Sequence, residues 1–233
     1  MELDLYVDTS RKGISMAVAT SGQPEGGARV YEEIVNTEAR GEILGESLDT
    51  LLTRVGATLD DVKRVMVTLG PGSFSGLRTG VAFCQGLCFS GKRNLYGVTT
   101  LQALECFAQN DASNDPARDA AANVAGKASA ETAVVIRARS GFWYLRLDGE
   151  EKFIETPEVI ELLEKAQAKV IVADDAAFAD EALNAVFGKL GASTVHDTGL
   201  PLDRWAPLFD SVKPSLIQEA NYIQPSYFEK LKA

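Results

Sequence analysis

Histidine and cysteine are both scarce in this sequence of 233 residues. It contains one histidine, His196, and three cysteines, Cys84, Cys88 and Cys106. One histidine is too few for a paired-histidine metal site, and three thiols without C-x-x-C spacing favour reduced cysteines over a disulfide framework. We therefore expect no metal site. A Ser/His/Asp arrangement would have to recruit His196 in the absence of a nucleophile elbow.

Positive charge is also scarce. The chain carries 23 Lys and Arg against 33 Asp and Glu, which gives a formal net charge of −10, and the basic residues form no run. Tight binding of nucleic acid needs a basic surface that neutralises phosphates, so tight, direct RNA binding is disfavoured. If the protein serves an RNA, we expect a partner to hold that RNA.

A long apolar run is absent as well. The opening MELDLYVDTS carries acidic residues at positions 2 and 4, and it predicts neither a secretory signal nor a membrane span. A cytoplasmic location without membrane attachment is therefore the expectation. With 45% apolar residues, the chain is long enough for one large or two modest domains with real cores.

The spacing of apolar residues predicts α/β order in both halves. In the first half it predicts a hairpin around the turn SRKG, a third strand in ARVYEEIV, a helix in ILGESLDTLLTRVG, a strand in RVMVTLG, a helix over about 76–90, a strand in NLYGVTT and a helix in LQALECFAQ. The second half echoes this order with a hairpin in TAVVIRARSGFWYLRL, a helix near 157–168, a strand in KVIVA and a helix in DEALNAVFGKL. We expect a lobe over residues 1–108, a linker or surface excursion over 109–131, and a smaller lobe over 132–233.

A glycine-rich corner, LGPGSFSGLRTG, follows the buried strand of the first half. Gly70, Gly72 and Gly76 permit torsions and close approach that other residues resist, and Pro71 stiffens the bend. The motif lacks the Gly-Lys-Ser/Thr end of a Walker loop, and Ser75 stands where a dinucleotide fingerprint needs its third glycine. Two interpretations stay open: a rigid packing corner, or a cradle of backbone N–H groups that holds an anion.

The helix after this corner has one nearly flat face. Gly76, Gly80 and Cys84 recur every four residues, so another backbone can approach that face closely. The approaching backbone belongs either to the protein's own sheet or to a partner helix. The small residues alone do not decide between these alternatives.

The segment LGPGSFSGLRTGVAFCQGL, with the opening LYVDTS and the later LYGVTTLQAL, resembles the TsaB (YeaZ) family of threonylcarbamoyladenosine synthesis on tRNA. The resemblance covers residues 1–107 and rests beyond them on RARSGFWY, VADDA and QPSYFEK. It implies the fold of actin-like and Hsp70-like ATPases: two lobes related to ribonuclease H, each with a mixed β-sheet, a hairpin and flanking helices. It further implies a non-catalytic scaffold that pairs with the catalytic subunit TsaD and the small ATPase TsaE, so that the complex transfers a threonylcarbamoyl group to adenosine 37 of tRNA.

The resemblance also implies which residues form an interface. The helix after the corner and the helix before it resemble the two helices that the family uses for homodimer formation and for pairing with TsaD. The interface candidates on these helices are Leu44, Leu48, Leu52, Gly76, Arg78, Gly80 and Cys84. We expect a homodimer in isolation, TsaD and TsaE as partners, and contact with tRNA only through the complex.

An anion or nucleotide site is the other use that the corner and the first hairpin suggest. Its candidate residues are Asp8, Thr9, Ser10, Gly70, Gly72 and Ser73. An ATPase of this fold needs a second carboxylate, but the matching turn has Arg137 where relatives usually have Asp and Phe142 where they usually have Glu. We therefore expect no catalytic residue and no cofactor on this chain alone, with ATP or ADP bound only in the partner complex.

Two other functions stay open at this level. A small ATPase or kinase acting alone would use Asp8 and the GPGSFSG turn, and a protease would need a metal or a nucleophile that the sequence does not supply convincingly. Arg40-Gly41-Glu42 stands where family members commonly have His-Ser-Glu. In GFWYLRL, strand alternation predicts that at least one of Phe142, Trp143 and Tyr144 faces away from the core.

Overall fold

Two compact units make up the chain. A computed structural model describes residues 1–21, 31–38, 41–111, 131–197 and 202–223. The first unit comprises Met1–Thr100 with Pro201–Asn221, and the second comprises Leu101–Leu200 with Tyr222–Ala233. The boundaries at 108 and 131 stay a prediction, and most of the expected linker lies outside the described residues. The division also differs from the expected lobes, because the segment 201–221 groups with the first unit.

The first unit contains a five-stranded mixed sheet. Its strands are β1 (Leu3–Asp8), β2 (Ile14–Thr20), β3 (Tyr31–Asn36), β4 (Val62–Thr68) and β5 (Asn94–Val98), in the order β3-β2-β1-β4-β5. The first three strands form an antiparallel meander, whereas β1, β4 and β5 run parallel. Leu5 of β1 pairs with Val18 on one side and Val65 on the other. The predicted hairpin and third strand are confirmed.

Helices α1 (Leu44–Arg54) and α2 (Phe74–Cys88) pack on one face of this sheet. α1 is followed by Gly56 at φ +65°, a torsion that favours glycine and ends the helix. α2 begins two residues earlier than predicted, because the Ser73 Oγ accepts a hydrogen bond from the Gly76 N–H at 3.2 Å and caps the first turn. The leucines of α1, the valines of β1 and β4 and Cys84 of α2 form one apolar core.

The opposite face of the same sheet is covered by the C-terminal segment that ends in α7 (Leu208–Ser211). Phe209 is only 4% exposed, and its ring centroid lies 5.6 Å from that of Tyr6 and 4.8 Å from that of Tyr96. The Arg64 guanidinium lies 4.1 Å from the centre of the same ring. Residues that follow the segment Leu101–Leu200 of the second unit therefore complete the core of the first unit.

Arg64 also forms an ion pair with a buried carboxylate, Asp4, on this face of the sheet. Its Nε donates to Asp4 Oδ1 at 2.7 Å and its Nη2 donates to Asp4 Oδ2 at 2.6 Å. Ser21 Oγ donates to Asp4 Oδ1 at 2.7 Å. Burying an unpaired carboxylate costs free energy. The bidentate pair with Arg64 offsets this cost, so that Asp4 can lie inside the unit.

The second unit repeats the sheet topology of the first. Its strands are β6 (Thr132–Arg139), β7 (Phe142–Leu147), β8 (Glu150–Glu155), β9 (Val170–Ala173) and β10 (Ser193–His196), in the order β10-β9-β6-β7-β8. β6, β7 and β8 form the antiparallel meander, and β9 and β10 extend it in parallel. This repetition confirms the predicted fold class. The sequence did not indicate β8 and β10, because these edge strands are charged or short and show no apolar alternation.

Within the described residues, the second unit contains the helices α3 (Thr100–Asp111, from Leu101 on), α4 (Thr156–Ala166), α5 (Asp175–Ala179) and α6 (Glu181–Leu190). α4 and α6 bury Leu163 and Phe187 against Trp143 and Leu145 of β7. α3 meets the other face of the sheet, where Arg146 Nε donates to Glu105 Oε2 at 2.8 Å. No helix in the described part of the chain is long and apolar enough to cross a membrane.

The packing of Phe209 gives a test of how the first unit is completed. We expect Phe209→Ala to lower the free energy of unfolding by about 3 kcal/mol, because it removes a buried ring that contacts two other aromatic rings and Arg64. Phe89→Ala is the matched control: Phe89 is 80% exposed, so its truncation should change stability by less than about 0.5 kcal/mol. Urea denaturation followed by circular dichroism measures both, and equal stability of the two variants would contradict the described packing.

Candidate functional site

The glycine-rich corner joins β4 to α2 and is fixed to its neighbours by backbone hydrogen bonds. The Leu69 N–H donates to the Val98 carbonyl at 2.8 Å, and the Ser73 N–H donates to the Ser10 carbonyl at 2.6 Å. Gly70 has φ +106°, a torsion that favours glycine, and the Gly70–Pro71 peptide is cis. The corner is therefore held between β5 and the turn of the first hairpin.

The flat face of α2 packs against that same turn. A Cβ on Gly72 would overlap the Ser10 carbonyl oxygen, and a Cβ on Gly76 would overlap the Thr9 carbonyl oxygen. A Cβ on Gly80 would overlap the Thr9 Oγ1. Of the two alternatives that the sequence leaves open, the structure shows the intramolecular one: the protein's own first hairpin fills the glycine face.

Most of the predicted interface residues are occupied within the chain. Leu44, Leu48 and Leu52 are buried in the core of the first unit, as is Cys84. Their helical spacing marks the face of each helix that meets the sheet, and the remaining candidates Gly76 and Gly80 meet Thr9. Among the predicted interface residues, Arg78 alone is exposed, on the side of α2 away from the core.

The exposed side of α2 and its C-cap carries two aromatic residues, two small residues and an arginine, which together we call the α2 stripe. It consists of Phe74, Arg78, Ala82, Gly86 and Phe89. Phe74 is 55% exposed and lies under the Arg78 guanidinium, 4.0 Å from the ring centre. A Cβ on Gly86 would meet no atom within 4 Å, so the middle of the stripe is open to a closely packed neighbour. Of this surface the sequence predicts only Arg78, because the small residues look like ordinary helix residues.

Asp8, the leading candidate for nucleotide chemistry, is buried and hydrogen-bonded within the unit. It is 3% exposed, and its Oδ1 accepts from the Ser10 N–H at 2.9 Å, from Ser10 Oγ at 2.7 Å and from Thr68 Oγ1 at 2.7 Å. These contacts tie the end of β1 to the hairpin turn and to β4. The carboxylate thus stabilises the geometry of the corner.

An open cleft of about 650 Å³ lies beside the hairpin turn. Its charged lining residues are Arg11, Lys12, Glu38 and Glu42. Lys12 and Glu38 form an ion pair of 2.8 Å, so the cleft has mixed charge. Its lining comes from the hairpin turn, the end of β3, the short helix at Gly41–Ile43 and the first turns of α2.

The cleft contains two of the six residues predicted for an anion or nucleotide site. Thr9 and Ser73 line it, and Thr9 Oγ1 is buried without a hydrogen-bond partner. Asp8, Ser10, Gly70 and Gly72 are not among its lining residues. Nucleotide binding by this chain stays a prediction, and Arg40, one of the departures from the family pattern, lies outside the described residues.

The thiols and the histidine have structural surroundings. Burial raises the pKa of Cys88 to about 11 and that of Cys106 to about 12, so neither is a thiolate at neutral pH. His196 Nε2 lies 2.9 Å from Asp175 Oδ1, and its ring stacks on Phe178. Across the described ranges, no group of three or more His, Cys, Asp and Glu side chains converges as metal ligands do.

Known proteins resemble this chain in sequence and in fold. Residues 35–137 match the family model of TsaD, the tRNA N6-adenosine threonylcarbamoyltransferase. The tRNA threonylcarbamoyladenosine biosynthesis protein TsaB of Escherichia coli (strain K12) is 29% identical over 157 residues, which are 67% of this chain and 63% of that relative. The match thus spans less than two thirds of the relative's length.

The structural likeness extends over the whole fold. An uncharacterized protein with similarity to peptidase YeaZ from Pseudomonas aeruginosa aligns with a TM-score of 0.61 and 21% identity, over 96% of this chain and 100% of that chain. The chain is thus similar to the TsaB (YeaZ) family in sequence and in fold. Another solved structure, YeaZ from Pseudomonas aeruginosa, is 24% identical over 67% of this chain and 66% of its own, with a TM-score of 0.45.

The second hairpin carries Arg137 and Phe142, the two positions that the sequence comparison with the family singled out. The Arg137 N–H donates to Asp174 Oδ2 at 2.8 Å, and its guanidinium lies 5.6 Å from the ring centre of Trp143. Trp143 is buried in the core, whereas Phe142 and Tyr144 alternate to the other face of β7, as predicted. The turn is therefore built from a cation and aromatic rings.

The glycine face of α2 gives a test of intramolecular packing. We expect Gly80→Ala to lower the free energy of unfolding by about 1–3 kcal/mol, because the added methyl group overlaps Thr9 and forces α2 away from the hairpin. Gly86→Ala is the control on the same helix and should raise stability by up to about 1 kcal/mol, since its methyl group meets no atom and alanine favours the helix. Urea denaturation measures both changes. A Gly80→Ala variant at least as stable as Gly86→Ala would show that the glycine face is not filled.

Proposed function

We propose that this chain is a non-catalytic scaffold subunit in the synthesis of threonylcarbamoyladenosine at adenosine 37 of tRNA. In this function it pairs with the catalytic subunit TsaD, acts together with the ATPase TsaE, and forms a homodimer when the partners are absent. The name of the Escherichia coli relative and the match to the TsaD model support the pathway. The relative is a biosynthesis protein for this modification, and the matched segment 35–137 includes both α1 and α2.

The surroundings of Asp8 are the observation that carries the non-catalytic role. A carboxylate that organises Mg²⁺ and phosphates has to be accessible from a site, but Asp8 is buried and three donors occupy its Oδ1. The matching turn of the second unit has Arg137 and Phe142, which offer no metal ligand. The chain therefore binds no cofactor alone, and ATP or ADP enters only with the partner complex.

The α2 stripe supports pairing with another chain. Its ends are exposed aromatic residues, and its middle is made of Ala82 and Gly86, so a second helix can approach the backbone of α2 closely. TsaD is the partner that we assign to this stripe, because a homologous chain presents helices of the same kind. The formal charge of −10 supports a division of labour in which TsaD and TsaE hold most of the tRNA.

Pairing is tested by size-exclusion chromatography with light scattering, on this chain alone and mixed with TsaD from the same source. We expect a homodimer that exchanges into a heterodimer. Ala82→Arg should weaken both forms by roughly tenfold or more, since a long charged side chain prevents close approach in the middle of the stripe. Ala185→Arg, an equally exposed alanine on α6, is the control and should leave pairing unchanged.

Two results would contradict this part of the proposal. If Ala82→Arg pairs as the unmodified chain does, the partner uses another surface. If the unmodified chain ignores TsaD at concentrations where it is folded, the scaffold function itself is wrong.

The absence of catalysis is tested by phosphate release from MgATP. We expect no release by the purified chain above that of buffer, because Asp8 is buried and does not line the cleft. Release that rises with protein concentration and is lost in Ser73→Ala would instead favour a small ATPase that acts alone. A Ser140→Ala variant, changed in the exposed turn of the second hairpin, controls for contaminating activity.

A further inference from the structure

An arginine and three aromatic rings form a layered surface at the end of the second hairpin, which we call the Arg139 platform. It consists of Arg139, Phe142, Tyr144 and Phe153. The rings of Phe142 and Phe153 are stacked with centroids 5.0 Å apart and planes within 6°. The Arg139 guanidinium lies 4.2 Å from the ring centre of Phe142 and 5.5 Å from that of Phe153, and Tyr144 packs against Phe153 at 5.7 Å.

The backbone places these side chains together. The register between β6 and β7 shifts between Arg137 and Arg139. As a result, Arg139 lies directly opposite Phe142. Tyr144 pairs with Phe153 across β7 and β8. The platform therefore lies on rigid strands, and its guanidinium is held over an aromatic surface before any ligand arrives.

Arg139 is an exposed cation that makes no ion pair with any carboxylate in the described part of the chain. Among the described residues of the second unit, most other cations form ion pairs. The ion pairs are Arg146 with Glu105 and Glu151, Lys152 with Glu150, Lys169 with Glu131, and Lys189 with Glu164. Arg137, the other cation of this hairpin end, also has no ion pair there. Two cations without an ion pair in the described part of the chain thus lie at the hairpin end that carries the half-buried rings of the platform.

We propose that the Arg139 platform binds a nucleotide of single-stranded RNA. The outer face of the guanidinium stacks on a base, and its N–H groups donate to the adjacent phosphate. Because the platform offers one or two charges, the contact is weak and adds to the hold of a larger complex. The proposal rests on the proposed function, which places a tRNA beside this chain.

The layered geometry favours RNA over an acidic protein segment. A carboxylate needs only the edge of a guanidinium, and an arginine surrounded by water serves that purpose. A guanidinium that lies 4.2 Å from the centre of a phenyl ring in a stacked pair extends an aromatic surface, which suits a nucleobase. Arg139 should therefore contribute more than its charge.

The test is fluorescence anisotropy of a fluorescein-labelled RNA hairpin with the sequence of a tRNA anticodon arm, titrated with the full-length chain at several KCl concentrations. We expect Arg139→Ala to weaken binding about fivefold to tenfold and to lower the slope of log affinity against log salt by about one. Arg139→Lys should keep the slope but lose several-fold in affinity, since an ammonium stacks poorly. Lys165→Ala, an exposed cation on α4 without a ring contact, should change affinity by less than about twofold.

Three results would overturn the proposal. The first is no RNA binding at chain concentrations of about 0.1 mM and above, the weak end of non-specific binding. The second is an equal loss of RNA affinity in Arg139→Ala and Lys165→Ala, which would show that only the net charge of the chain matters. The third is Arg139-dependent binding of labelled poly-glutamate without binding of the RNA, which would assign the platform to an acidic protein segment.

The pairing assay separates this proposal from the proposed function. Arg139→Ala should pair with TsaD as the unmodified chain does, because the platform lies in the second unit and the α2 stripe in the first. Pairing without RNA binding would refute the platform alone. Arg139-dependent RNA binding by a chain that ignores TsaD would support the platform and refute the scaffold.

Discussion

The close packing of α2 on the turn of the first hairpin is the contact on which the rest of the first unit depends. Gly72, Gly76 and Gly80 bring the helix so near Thr9 and Ser10 that no side chain fits between them. This approach places Ser73 beside the Ser10 carbonyl and lets Asp8 collect its three donors. This packing also decides which side of α2 remains exposed. One face of the helix lies on the hairpin and another in the core, so only the remaining side is open to a partner.

Much of this fold could be predicted from the sequence, because both hairpins and the main helices show strong apolar periodicity. The missed elements lack that signal: β8 is charged, β10 has four exposed or half-buried residues, and α5 has one turn and a half. The covering of the first sheet by Phe209 was not predictable, since a contact across more than a hundred residues leaves no local pattern.

The candidate site was harder to predict than the fold, and two residues show why. The recurrence of small residues around Gly80 predicts that a backbone approaches the helix. It does not indicate whether that backbone belongs to the same chain or to a partner. The spacing of Leu48 reports a buried face, and burial in a monomer's core looks the same in sequence as burial in an interface. Ala82 and Gly86, which are exposed, give no signal at all, because small residues occur in helices for many reasons.

The two units have the same sheet topology but different side chains at the turn of their first hairpin. In the first, the acidic residue at the end of β1 is turned inward and fixes a corner, so the exposed surface beside it is a helix. In the second, the turn carries Arg137, Arg139 and Phe142, and the bulge before Phe142 turns a guanidinium outward over aromatic rings. The two turns therefore differ in what they present: the first keeps its carboxylate inside the unit, and the second places a guanidinium over aromatic rings.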